Sequence, residues 1–121
     1  MGYMRHHTIV VTGNKKHAEL ARGEALRIFN TESMGIAGRV PSLVSELVDS
    51  AVNGYSSFFV APDGSKEWWG TSDNGNTCRE LFINELRFMQ QRNIFLDWIE
   101  VQFGDDDGVT RAIIGSHSDE D

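Results

Sequence analysis

A chain of 121 residues, 40% apolar and 24% charged, is long enough to bury one core and short for two, and this composition excludes a disordered chain. Its wholly apolar runs are short, Ile9–Val11 and Phe58–Ala61 among them, so neither a membrane-spanning helix nor a secretory leader is expected. The net charge of −7 lies entirely in residues 93–121, where eight acids face Arg111 alone while ten acids and ten bases cancel over 1–92; this argues against a nucleic-acid phosphate partner at that end.

In chain order, His7–Thr12 carries β-branched residues in succession from Thr8, closed by Gly13 and Asn14, which predicts a central strand. Asn14 is placed to cap a helix over residues 15–30, in which Ala18, Ala21, Ala25 and Ile28 recur at spacings of three and four, with Leu20 and Phe29 widening the stripe. Residues 31–41, with Gly35, Gly38 and Pro41, read as a loop. Two readings stand open for 42–54. Leu43, Val44, Leu47, Val48, Ala51 and Val52 fit a helical stripe stopped by Gly54, and the same residues fit an extended arm ending in the hairpin dipeptide Asn53-Gly54.

Tyr55–Ala61 predicts a strand, Pro62-Asp63-Gly64 a turn, and Lys66–Trp69 a short return strand pairing with the first. Gly70–Asn76 reads as a polar loop. Thr77 and Glu80 then form a capping box, opening a helix with Cys78, Leu81, Phe82, Leu86 and Met89 on its buried face and Arg79, Asn84, Arg87 and Gln91 opposite. Asp97–Phe103 alternates, with Ile99, Val101 and Phe103 expected inward and Trp98, Glu100 and Gln102 on the wet side. Asp105–Gly108 turns the chain into a last strand, Val109–Gly115, and residues 116–121 form a flexible acidic tail. The expected fold is a single α+β domain over 1–121, with two helices on one face of a largely antiparallel sheet in a ferredoxin-like arrangement with an extra strand.

Few residues suggest chemistry. His6, His7, His17 and His117 show no helical metal-ligand spacing, and His6 and His7, adjacent on a strand, point to opposite faces. The run Asp105, Asp106, Asp107 lacks the alternate carboxylates and distant glutamate of a calcium loop and reads as a solvated turn. Cys78, the only cysteine, excludes an intrachain disulfide, reads as an inert core thiol and points to a reducing, cytoplasmic compartment. Gly35, Gly38, Gly70 and Gly75 match no phosphate-binding loop, so neither metal nor cofactor is expected. More suggestive are Tyr55, Trp68, Trp69 and Trp98. Trp68 and Trp69 must face opposite ways on a strand and Trp98 falls on the polar side of its own, which suggests an interface or stacking platform.

The stretches NGYSSFFVAPDGSKEWWGTSD and DWIEVQFGDDDG resemble a family of small uncharacterised proteins of bacteria and their phages, over roughly residues 7–118. The resemblance carries no catalytic residues; in a phage setting it implies inhibition of a host defence system.

The leading functional expectation is a non-catalytic binding protein, a homo-oligomer or the partner of another protein, docking through Tyr55, Trp68, Trp69 and Trp98 or through the acidic hairpin at Asp105, Asp106 and Asp107. A second is a nucleotide-sequestering protein, with Tyr55, Trp68 or Trp69 stacking a base and Arg79 or Arg87 holding phosphate. A third, an enzyme using His7 or His117 as general base, rests on residue type alone.

Overall fold

The computed structural model describes residues 6–29, 43–64, 70–104 and 111–116. The elements in chain order are β1 (His6–Asn14), α1 (Lys15–Ile28), β2 (Val48–Asp49), β3 (Tyr55–Val60), α2 (Gly70–Gln91), β4 (Leu96–Phe103) and β5 (Arg111–Gly115). They build a five-stranded sheet in the order β2-β3-β1-β4-β5 with every neighbouring pair antiparallel. This is the expected α+β class. The first four strands lie in the order β2-β3-β1-β4 with a helix after β1 and another after β3, and β5 extends that sheet beyond β4.

Register assigns the faces, because directly opposed residues of an antiparallel pair point the same way. Val11 lies opposite Phe58 on one side and Trp98 on the other, and Ile9 opposite Val60 and Glu100. These side chains share one face, and both helices lie over it. Ala18, Ala21 and Ala25 of α1 and Phe82 and Leu86 of α2 are fully buried, and Phe82 meets Phe29 edge-on at 5.9 Å. Small alanines on α1 let that helix approach the sheet closely. As expected, Asn14 caps α1, its side chain accepting the His17 amide at 2.9 Å. Leu20, however, is exposed, outside the buried stripe.

Residues 43–54 are extended, which decides between the two readings of that segment. Ser45 N–H donates to Phe59 O, Ala61 N–H donates to Leu43 O, and Val44 bridges to Val60, so the arm lies along the free edge of β3. Arg22 of α1 clamps it by donating to Ser45 O at 2.8 Å. Asn53 and Gly54 both adopt φ of +68°, the left-handed conformation that the hairpin reading requires of this dipeptide.

With β1 on one edge of β3 and this arm on the other, β3 has no edge left for a return strand. The expected hairpin with Lys66–Trp69 is therefore not formed by β3; residues 65–69 themselves lie outside the described residues. Also outside are the loop at 31–41, the turn Asp105–Gly108 and the tail from His117 onward.

Two further corrections concern α2. It begins at Gly70, so the segment read as a polar loop is helical and Thr77 is not its cap. Inside the helix the Thr77 hydroxyl donates back to Asp73 O at 3.1 Å. Its buried face also differs: Leu81 is exposed, whereas Ile83 and Arg79 are buried.

Candidate functional site

The strand β4 holds the largest departure from expectation. Its alternation is as read, but the faces are exchanged: Trp98 and Gln102 are each 4% exposed on the helix side, while Ile99 points to the opposite face at 37%. Trp98 is therefore no surface aromatic. Its indole N–H donates to Gln90 Oε1 at 3.0 Å, and the Arg87 guanidinium lies 5.6 Å above its ring.

What allows Glu100 to sit inward is a cluster of charges at one end of the helix-facing layer. Arg79, with its side chain 6% exposed, stands 3.6 Å from Asp63 and 4.0 Å from Glu100, and donates to Asn76 Oδ1 at 2.5 Å. His7 Nδ1 lies 3.7 Å from the same Glu100 oxygen. Asp63 reaches Arg79 from the turn after β3, where Gly64 takes φ of +79°, the left-handed role expected for that glycine. Gly75 makes the approach possible: a Cβ there would collide with the Asp63 carboxylate. This contact explains why a helix persists through a stretch rich in turn formers, since packing overrides local propensity.

A groove of about 460 Å³ adjoins the cluster, lined by Asn76, Arg79, Glu80, Arg87, Glu100 and Ile113 among others. It brings together the two arginines considered for phosphate binding, but with two carboxylates that balance their charge. Tyr55 is remote from it, pointing out of the other face of the sheet from β3. Of the base-stacking candidates, the described one, Tyr55, is thus not assembled with the two arginines around one pocket. Cys78 is buried as expected, its thiol within 3.6 Å of Ile28 O, and burial pushes its pKa up.

The opposite face of the sheet carries no helix among the described residues. Val10, Phe59 and Ile99 point outward there with exposures of 39%, 44% and 37%, accompanied by Val48, Val101 and Phe103. Val10, Val48 and Phe59 rim a shallow apolar hollow of about 330 Å³. Among the described strand residues on this face Asp97 is the one carboxylate, at the start of β4, and none is lysine. At the other margin His6 packs on Phe103, ring centroids 5.4 Å apart. Trp68, Trp69, Asp105, Asp106, Asp107 and His117 lie outside the described residues.

Sequence reading missed this face because Ile99, Val101 and Phe103, its contribution from β4, were assigned to the core. A usable signal was present, since Glu100 and Gln102 alternate with Ile99, Val101 and Phe103, and two buried polar side chains require partners such as Arg79. Comparison with protein-family models, curated proteins and solved structures finds no match to the chain. Among the described residues no helix is long and apolar enough to cross a membrane.

Proposed function

We propose that this chain is a non-catalytic interaction protein that docks a protein partner against the face of its sheet that carries no helix among the described residues. One observation carries the reading. In the second half of β4 Gln102 is buried and Glu100 half-buried on the helix side, while Ile99, Val101 and Phe103 point to the other face, the reverse of the alternation that suits a sheet with one solvated face. Contiguous apolar surface of this kind on a folded domain marks an interaction site. In a phage setting, the sequence resemblance implies inhibition of a host defence system as one role for such an interaction protein.

The test uses an apolar fluorescent probe, anilinonaphthalene sulfonate, with the full chain. Fluorescence is expected with the wild type and with Leu81→Lys, which alters an exposed helix position, and is expected to fall with Phe59→Lys or Val10→Lys. Equal fluorescence from all four proteins, each diluted until it is monomeric, would remove the sheet face from consideration. Docking through the acidic hairpin makes the contrary prediction, that replacing Asp105, Asp106 and Asp107 by Asn weakens partner capture while Phe59→Lys leaves it intact.

A further inference from the structure

Resting on that reading, we infer that the occupant of that face is a second copy of this chain, packed sheet against sheet about a twofold axis. Three features favour a copy of itself. The face carries few charges, Glu46 at the hollow and Asp97 at the start of β4, so it offers little by which an oppositely charged protein would be selected, whereas an apolar face is complementary to itself.

Its size also fits. The five strands, of 9, 2, 6, 8 and 5 residues, spaced about 4.8 Å apart with about 3.4 Å per residue, give a plan area of roughly 490 Å² per copy. With side-chain relief, two copies would remove about 1,200 Å² from water, the lower end of stable interfaces.

The shape supplies the third feature. Phe59 and Val10 border the hollow that Val48 closes, and Ile99 stands on the same face beyond β1, so a twofold partner can place Ile99 over the hollow while its own hollow receives the first copy's. Facing sheets would then lie about 10 Å apart.

The electrostatics of such a pair have a distinctive sign. Each chain carries −7, so the two copies repel through the rest of their surfaces, and added salt screens that repulsion. Self-association should therefore tighten with salt. Docking of the acidic end on a basic partner weakens with it.

Sedimentation velocity of the full chain from micromolar to several hundred micromolar, at low and high sodium chloride, tests this. The expected result is a shift from one chain to two, at lower protein concentration in high salt. Phe59→Lys and Val10→Lys should each remain monomeric with unchanged circular dichroism, and with the melting temperature of the wild type when both are dilute enough to be monomeric, and Leu81→Lys should dimerise as the wild type does.

A wild type that stays monomeric overturns the inference, as does a dimer that persists in both Phe59→Lys and Val10→Lys. These outcomes are separable from failure of the broader reading. A monomer whose probe fluorescence still depends on Phe59 keeps the face as a docking surface for another protein; a monomer without it loses both.

Discussion

Arg79 stands between two carboxylates that would otherwise be enclosed near one another, Asp63 and Glu100. Breaking a buried pair by removing one partner costs about 3–5 kcal/mol, because the remaining charge is left without compensation. Arg79→Met is expected to lower unfolding stability in urea by that order, and adding Glu100→Gln to it should restore part of the loss. An Arg79→Met protein as stable as the wild type would show that water, not the guanidinium, satisfies the two acids. Asp49 offers a second test at the same scale. Its exposed carboxylate accepts a 2.8 Å hydrogen bond from Ser56 and faces Lys15 at 3.6 Å; the hydroxyl first, the ammonium second, hold its pKa below the ordinary aspartate value. A depressed folded-state pKa gives a stabilising contribution that is complete above the ordinary value and lost as pH falls through the lowered one. Ser56→Ala should move the Asp49 midpoint upward in a carboxyl NMR titration, and an unmoved midpoint would mean that the hydroxyl does not act on it.

Among the elements, α2 separates two accounts of Thr77. Were it the cap of a helix, Thr77→Ala would cost about 1 kcal/mol. Lying inside the helix with its hydroxyl bonded back to Asp73, it should instead be neutral or stabilising by a few tenths of a kcal/mol, since alanine is the better helix former. Thermal unfolding of Thr77→Ala decides the sign. The same helix shows where sequence reading stops. Periodicity located Cys78, Phe82, Leu86 and Met89 correctly, because a 3.6-residue repeat is a local property. The start at Gly70 was not legible, since it depends on Asp63 passing over Gly75, a contact across the fold. Strand β4 makes the point for a site: period two was plain, but which face it buries depends on Arg79 and His7 waiting on the helix side for Glu100. The arm at 43–54 carried both patterns at once, and pairing with β3 selected the extended one.

At the scale of the molecule, the two faces of the sheet have exchanged some of their usual contents. Charges lie beneath the helices, and an apolar surface with few charges faces outward, which is why a composition close to that of an ordinary domain concealed a candidate interface. The margins of the sheet limit what that surface can do. One edge ends in β2, only two residues long. At the other, the register of β5 against β4 shifts between Glu100 and Val101, leaving Ile113 as an inserted residue that bends the strand. Among the described residues, neither margin offers a long straight ladder to an incoming strand. Wild-type protein and a variant with Asp105, Asp106 and Asp107 changed to Asn should both stay thioflavin-negative on prolonged incubation, whereas deleting Ile113, which straightens β5, should give a rising thioflavin signal. The inserted Ile113 gives the described β5 margin an irregular edge, of the kind that disfavours pairing with an incoming strand.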